Sequence, residues 1–249
     1  MNERNWDKIS QDYYTEILSP LKNSVDNPLF DDLEKLKDKD KKVIDLGCGL
    51  GEFEEYLSKR FKEILAIDFS KEMIESAIKN NNSLRNVKFE VADMTNLNFK
   101  NEFDIAFSIN SLISENISNI DKMLENVHNL LKENGKFIAV LPAMEVYAFQ
   151  SLLIVDKELK EGKGIEEARQ KAREFIKTKE HDFLLGIYNF GGKQKAFYNF
   201  EINWRLKKAG FKNIKIKRVF YSWEEFKEAG QSYFPGEDLP WDWYVICEK

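Results

Sequence analysis

Three glycines lie close together in the segment V-I-D-L-G-C-G-L-G, at Gly47, Gly49 and Gly51. The segment begins as a short apolar, β-branched run, and an acidic stretch with helical character follows it. A glycine turn between a buried strand and a helix lets a ligand approach the backbone closely, and open α/β sheets bind ligands at this end of their strands. The segment therefore predicts a ligand-binding turn.

Spacing and charge argue against a dinucleotide or a nucleoside triphosphate at this turn. The fingerprint G-x-G-x-x-G would need a third glycine at position 52, where the chain has Glu52. Glu52, Glu54 and Glu55 also oppose the positive end of the following helix, which a pyrophosphate would use. Neither GxxxxGKS nor GxxxxGKT occurs in the sequence. The acidic residues favour a cationic ligand.

Carboxylates also end the next two predicted strands. Asp68 closes the strand in A-I-D-F-S, where it can accept hydrogen bonds from both hydroxyls of a ribose. Asp93 follows the strand in E-V-A-D-M, where it can accept from the exocyclic amine of adenine while the backbone N–H of Met94 meets a ring nitrogen. Three successive strand ends therefore predict a nucleoside site.

Strands and helices alternate through residues 43–142, which predicts a parallel sheet with helical crossovers. We expect an α/β fold with a doubly wound, mostly parallel, seven-stranded Rossmann-like sheet. Ser70 is the expected N-cap of one helix, and Gly135 is the expected stop of the helix that begins near Ile117. The terminal segment W-D-W-Y-V-I-C-E-K follows another strand without a helix between them, which predicts an antiparallel edge strand.

Residues 143–192 interrupt the alternation with helical patterns, which predicts a helical insertion after the fifth strand. The expected organisation is residues 1–142 as opening helices and the cofactor-binding part of the core. Residues 143–192 would then form a lid over the acceptor site, and residues 193–249 would complete the core. The apolar and aromatic side chains of the insertion suit such a lid.

The ordered segments D-L-G-C-G-L-G, I-D-F-S-x-x-M, A-D-M, F-D-I-A-F-S-I-N and L-L-K-E-N-G-K-F-I-A-V-L-P resemble the motifs of class I S-adenosylmethionine-dependent methyltransferases. The resemblance covers residues 43–142, and the segment F-Y-N-F-E-I-N-W-R-L-K-K-A-G-F-K-N-I-K-I resembles the last helix and strand of that family. It implies S-adenosylmethionine as the cofactor. It also assigns cofactor contacts to particular residues: Asp45, Gly47, Gly49 and Gly51 at the methionyl part, Asp68 at the ribose, Phe69 and Met73 at the adenine faces, Asp93 and Met94 at the adenine edge, Asn110 at the methyl group, and Tyr13 as an aromatic residue closing over the cofactor.

Methyl transfer from a sulfonium requires mainly that the nucleophile be held in line with the methyl carbon, away from water. A dedicated base is optional, and the catalytic residue is not fixed by the sequence. His181, Tyr188 and Glu145, in or beside the insertion, are candidates, although each also suits a surface or packing role. The segment I-N-S-L-I-S stands where base- and glutamine-methylating relatives carry N/D-P-P-Y, so we expect a small molecule or a protein side chain as acceptor.

The composition narrows the class of protein further. The 249 residues carry a net charge of −5, which argues against a broad nucleic-acid interface. No signal sequence and no apolar run of membrane-spanning length is apparent, and Cys48 and Cys247 form no metal-binding spacing. We therefore expect a cytoplasmic protein that has no metal site and no membrane partner.

Two other functions stay open from the sequence. A non-catalytic protein could keep this fold to bind the cofactor or an interaction partner. An NAD(P)-dependent oxidoreductase is disfavoured by the misplaced third glycine and by the acids of the turn. The atom that accepts the methyl group and the oligomeric state cannot be derived from these residues.

Overall fold

A mixed sheet of eight strands forms the centre of the fold. A computed structural model describes residues 19–178, 180–189, 192–228 and 232–249. The strands, in chain order, are β1 (Ser24–Asp26), β2 (Asp38–Leu46), β3 (Phe61–Asp68), β4 (Val87–Val91), β5 (Phe103–Ile109), β6 (Leu131–Pro142), β7 (Ile187–Asn189), β8 (Lys193–Lys195), β9 (Lys212–Tyr221) and β10 (Trp241–Glu248). The sheet order is β1-β9-β10-β6-β5-β2-β3-β4, and β7 pairs with β8 in a separate hairpin.

The helices fill the connections as the alternation predicts. They are α1 (Pro28–Leu36), α2 (Glu54–Ser58), α3 (Lys71–Asn80), α4 (Ile117–Leu130), α5 (Met144–Lys160), α6 (Ile165–Thr178), α7 (Asn199–Lys208) and α8 (Trp223–Glu228). The Ser70 hydroxyl accepts a hydrogen bond from the backbone N–H of Met73, which confirms the predicted N-cap of α3. None of the helices in the described ranges is both long and apolar enough to cross a lipid bilayer.

Five neighbouring strands, β4, β3, β2, β5 and β6, run parallel to one another. Apolar residues of β2, β3, β5 and β6 are buried between the helices on the two faces of the sheet, whereas β4, at the edge of the sheet, is only partly buried. The five strands therefore end at one edge of the sheet, and the turn residues and strand-end carboxylates come together there. The predicted α/β, doubly wound, mostly parallel fold class is confirmed.

The antiparallel side of the sheet differs in detail from the prediction. The C-terminal strand β10 is antiparallel, as expected, but it lies between β6 and β9 and pairs with both. The edge is formed by β1, an eighth strand antiparallel to β9. A strand of three residues is too short to show a pattern of alternating apolar and polar side chains. The strand β1 forms because it pairs with β9.

Two local predictions were wrong. Helix α4 ends at Leu130, and Gly135 lies inside β6, where a Cβ atom would come within 2.8 Å of the Lys132 carbonyl oxygen. Helices α5 and α6 lie within the predicted insertion, but β7 lies where more helix was expected. Gly186, directly before β7, has a φ of 66°, and a Cβ atom there would meet the Ala196 carbonyl oxygen of the opposite side of the hairpin.

The hairpin fixes the insertion to the core. The backbone N–H of Lys195 donates to the Ile113 carbonyl in the loop after β5, at 3.0 Å. The Lys195 ammonium is fully buried and pairs with the Glu201 carboxylate of α7 at 2.7 Å. The hairpin that follows α6 is thus attached directly to a loop that follows one of the central strands.

Candidate cofactor site

The glycine turn is held by the end of β3. The backbone N–H groups of Gly47 and Cys48 donate to the Ile67 carbonyl, at 2.7 and 2.9 Å. The N–H of Gly49 donates to the Asp68 carboxylate at 3.1 Å. Gly47, Gly49 and Gly51 all have positive φ, at 77°, 54° and 79°, a conformation that residues with a Cβ atom adopt at a cost.

Two cavities meet beside this turn. The larger has a volume of about 290 Å³ and is lined by Gly47, Gly49, Asp68, Phe69, Met73, Ala92, Asp93, Met94, Thr95, Ile109, Asn110, Ser111, Ile113, Ser114, Asn119 and Met123. The smaller, about 40 Å³, is lined by Ser19, Pro20, Leu21, Asp45, Gly47, Cys48, Leu50, Glu52, Phe53, Ile109 and Asn110. Gly47, Ile109 and Asn110 belong to both, so the cavities adjoin at the end of β5.

The structure brings most of the proposed cofactor residues together. Those on the larger cavity are Gly47, Gly49, Asp68, Phe69, Met73, Asp93, Met94 and Asn110. Asp45 lies instead on the smaller cavity, where the resemblance places the methionyl part. Gly51 lines neither cavity: its backbone carbonyl accepts a hydrogen bond from Asn81, and a Cβ atom there would meet Ala77 of α3. Tyr13 lies outside the described residues.

The Asp68 carboxylate holds the turn in place through hydrogen bonds from backbone N–H groups. One oxygen accepts from the N–H of Gly49, and the other accepts from the N–H of Ser70 at 2.9 Å. The side chain lies on the larger cavity and is 8% exposed. It is therefore held in place by backbone donors and remains within reach of a ligand in the cavity.

We expect Asp68→Asn to weaken binding of S-adenosylhomocysteine by about 10- to 100-fold, because an amide cannot accept from both ribose hydroxyls and both backbone donors. Isothermal calorimetry would measure the change. Asp40→Asn, an exposed substitution at the amino end of β2, is the matched control and should have no effect. Equal affinity of Asp68→Asn and the unmodified protein would place the ribose elsewhere.

Two buried carboxyl groups face each other behind the turn. Asp45 is 2% exposed and Glu54 is fully buried, and neither Glu54 oxygen has a hydrogen-bond partner in the described part of the chain. Burial raises the pKa of Asp45 to about 7, and the nearby Asp68 carboxylate adds to that rise. Burial and the Asp45 charge also raise the pKa of Glu54 well above its usual value. A cationic group of a ligand beside Asp45 would stabilise the ionised form of this pair.

Asn110 occupies a strained position at the end of β5. Its φ of 49° lies in the left-handed region, which asparagine tolerates better than most residues. Its backbone N–H donates to the Val140 carbonyl of β6 at 2.8 Å. The side chain is thereby presented to both cavities, and a strained residue at such a place is a reasonable functional candidate.

The three catalytic candidates line neither cavity. The Glu145 carboxylate accepts from the Asn199 N–H at 2.7 Å, at the start of α7, and from the Trp243 indole N–H at 3.1 Å. His181 packs among aromatic rings, with centroids 4.6 Å from Tyr147 and 6.5 Å from Tyr188. Tyr188 is buried, and its hydroxyl donates to Gln194. These contacts serve packing and helix capping, and a catalytic role for the three side chains stays a prediction.

Sequence reasoning missed several residues around the site. Ser111 follows Asn110 on the larger cavity, and its hydroxyl pairs with Ser108 at 2.6 Å. Asp242 reaches Asn110 from β10. The sequence signal for Asp242 was a single acid between two tryptophans at the start of an otherwise apolar strand. In the described ranges, no cluster of histidine, cysteine and acidic side chains could hold a metal ion.

A doubly wound sheet with a glycine turn and acidic strand ends around a nucleoside-sized cavity defines the class I S-adenosylmethionine-dependent methyltransferase fold. The model of the family described as "Methyltransferase domain" matches residues 37–205. The chain belongs to this family.

Individual relatives agree with the family but differ in their named activities. Phosphoethanolamine N-methyltransferase 3 of Arabidopsis thaliana is 32% identical over 100 residues, which cover 39% of this chain and 20% of that protein. A human mitochondrial arginine-hydroxylase is 35% identical over 101 residues, 40% of this chain and 28% of that protein. The chain therefore matches less than a third of either relative.

Solved structures share the fold across almost the whole chain. A protein of Methanosarcina mazei, described as a SAM-dependent methyltransferase, superposes with a TM-score of 0.62 and 16% identity. The match covers 90% of this chain and 97% of that one. At this identity the likeness shows a common fold.

Proposed function

We propose that the protein is an S-adenosylmethionine-dependent methyltransferase that acts on a small molecule or a protein side chain. The observation that carries the proposal is the Asp68 carboxylate, held by the glycine turn on a cavity of about 290 Å³. Membership of the methyltransferase-domain family supports it. When bound, the cofactor supplies an electrophilic methyl group on a sulfonium, and the protein positions the acceptor.

The residues present suit this cofactor. The larger cavity offers Asp68 for the ribose, with Phe69 and Met73 beside the adenine, and the smaller cavity offers Asp45 for the cationic methionyl end. The buried Asp45 and Glu54 carboxyls oppose a diphosphate and favour a cation. The same arrangement therefore supports an adenosyl sulfonium over a dinucleotide.

Calorimetry with two ligands tests the cofactor assignment. We expect S-adenosylhomocysteine to bind with a dissociation constant in the micromolar range and NADH not to bind, because diphosphate binding would place further negative charge beside the buried acids. Binding of NADH alone would overturn the methyltransferase proposal in favour of an oxidoreductase.

A second candidate function, in which the bound cofactor serves a purpose other than methyl transfer, is suggested by one comparison. The human relative named as an arginine-hydroxylase indicates that similarity over this region need not mean methyl transfer. Incubation with radiolabelled S-adenosylmethionine and pools of metabolites and peptides separates the possibilities. Transfer of label supports the enzyme, whereas tight cofactor binding without transfer to any pool supports a different role for the bound cofactor.

The location and partners belong to the same proposal. We infer a cytoplasmic protein, supported by two free buried cysteines, Cys48 and Cys247. The acidic net charge of −5 supports an acceptor other than nucleic acid. The lysines of β9 at positions 212, 215 and 217 are exposed along one strand, as on a solvated sheet surface.

A further inference from the structure

A half-buried carboxyl group lies beside the cofactor site without a cationic partner in the described ranges. Asp242 stands near the start of β10, opposite Pro142 at the end of β6. It therefore lies at the edge of the sheet where the parallel strands end. Burial raises the pKa of Asp242 to about 6, so the group is mostly ionised at neutral pH.

The hydrogen bonds of Asp242 leave one oxygen largely available. Oδ2 accepts from the Tyr221 hydroxyl at 2.8 Å and from Asn110 Nδ2 at 3.3 Å. Oδ1 has a longer contact, 3.4 Å from the Ala143 backbone nitrogen. A carboxylate oxygen accommodates more than one donor, so Oδ1 can accept a further strong hydrogen bond.

The Asn110 amide presents a second acceptor beside it. Because Nδ2 donates to Asp242, the amide orientation is fixed and Oδ1 points away from that bond. This Oδ1 atom is buried and has no hydrogen-bond partner among the described residues. Asn110 lines both cavities. Asp242 Oδ1 and Asn110 Oδ1 are thus two neighbouring acceptor atoms that can each take a hydrogen bond from a ligand.

The aromatic residues on this side supply no charge of their own. Burial raises the pKa values of Tyr147 on α5 and Tyr188 on β7, and the negative charge of Asp242 adds to the rise, so all three groups lie in one region. Burial also raises the pKa of Tyr221 well above its usual value. These phenols are neutral at physiological pH, and they leave the Asp242 charge uncompensated.

Charged groups on the adjoining elements are engaged elsewhere. The Arg218 guanidinium of β9 lies 4.1 Å from the Trp241 ring centroid, and its strand partner is Trp243 rather than Asp242. Successive residues point to opposite faces of a strand, so Arg218 is on the other side of the sheet. Asp32 of α1 accepts from the Tyr244 hydroxyl at 2.8 Å.

We propose that Asp242 and Asn110 receive a protonated amine, so that the methyl acceptor of this protein is an amine. The inference rests on the proposed function and names its substrate class. An ammonium group carries up to three donors, no acceptor and a positive charge, which matches two acceptor oxygens and a carboxylate with no cationic partner among the described residues. A hydroxyl group has one donor and would leave one of the two acceptors unpaired.

Asp242 then also removes the proton that blocks the nitrogen. The N–H bond breaks, the proton moves to Asp242 Oδ1, and the electron pair stays on nitrogen as a lone pair. Burial lowers the pKa of an ammonium and raises that of a carboxyl, which brings the two closer together. Methyl transfer forms the N–C bond from that lone pair, while the electrons of the broken C–S bond remain on sulfur.

Paired acceptors test the substrate class. Label from S-adenosylmethionine is followed into phenethylamine and 2-phenylethanol, and into butylamine and 1-butanol, at pH 5.5 to 8.5. We expect label in both amines and in neither alcohol, with a rate that falls on the acid side near pH 6 as Asp242 is protonated. Methylation of the alcohols, or no label in either amine, would overturn the proposal.

Variants separate this site from the cofactor site. Asp242→Asn should lower kcat/KM for the amines by about 100-fold or more and abolish the acid limb, with S-adenosylhomocysteine affinity unchanged. Tyr221→Phe removes a bond that lowers the Asp242 pKa, so the limb should move to higher pH. Asp238→Asn, at an exposed site before β10, should change nothing.

The outcomes distinguish the two proposals. Unchanged amine methylation in Asp242→Asn, or an acid limb that does not move in Tyr221→Phe, would overturn the amine site and leave the methyltransferase assignment intact. Failure of the unmodified protein to bind S-adenosylhomocysteine would overturn the proposed function, and the amine site with it.

Discussion

Gly47→Ala is expected to weaken binding of S-adenosylhomocysteine by about 100-fold, the equivalent of about 3 kcal/mol. Gly47 has a φ of 77°, where an L-residue costs about 1–2 kcal/mol. The added Cβ atom would also overlap the Cβ atom of Ser111, which lines the larger cavity. Either the turn or the Ser111 loop must move, and both line the larger cavity, where we propose that the cofactor binds.

A matched glycine separates overlap from backbone strain. Gly162 has a nearly equal φ of 85°, but no atom of the described residues lies within 4 Å of the position that a Cβ atom would take there. Gly162→Ala should lower the free energy of unfolding by about 1 kcal/mol and leave cofactor affinity unchanged. Calorimetry and urea unfolding of both variants provide the comparison. Similar affinities for Gly47→Ala and the unmodified protein would show that the ligand does not contact this side of the larger cavity.

The strand-end residues could be predicted because their positions follow from sequence-local rules. A parallel strand that ends in Asp68 must deliver that side chain to the same edge as the glycine turn, whatever the rest of the sheet does. Asp93 follows the parallel strand β4 and lines the larger cavity for the same reason. Gly51 lies off both cavities, and its positive φ serves packing against Ala77 of α3, so its cofactor contact stays a prediction.

The proposed amine site of Asp242 and Asn110 depends on pairing between strands that are far apart in the sequence, and no local sequence pattern indicates that pairing. Asp242 meets Asn110 only because β10 lies between β6 and β9, and the order of antiparallel strands has no local signature. The roles of Glu145 and His181 were likewise decided by tertiary contacts. Glu145 holds the first N–H of α7, and His181 fills an aromatic cluster with Tyr147 and Tyr188.

Glu54→Gln is expected to stabilise the protein without cofactor at pH 8 by about 2–4 kcal/mol. Glu54 is fully buried, neither of its oxygens has a partner in the described ranges, and Asp45 adds a second acid beside it. Ionising this pair inside the folded protein is costly, and the unfolded chain avoids that cost by ionising in water. Glutamine keeps the shape of the side chain and removes one charge.

The sign of the pH dependence follows from the raised pKa values. An unfolded aspartate or glutamate ionises near pH 4, whereas the folded Asp45 ionises at about 7 and Glu54 also far above its usual value. Between these limits the folded state binds more protons, so the unmodified protein loses stability as the pH rises from about 4 to 7. The stabilisation by Glu54→Gln should therefore be large at pH 8 and small at pH 5.

Urea unfolding at the two pH values measures this difference, and the neighbouring residue provides the control. Glu55 lies on the same short helix but is exposed and pairs with Lys59 at 2.6 Å, which lowers its pKa. Glu55→Gln should therefore give no stabilisation at pH 8. An equal effect of Glu54→Gln at pH 5 and pH 8 would mean that the gain comes from packing, and that the pKa of Glu54 does not differ between the folded and unfolded states.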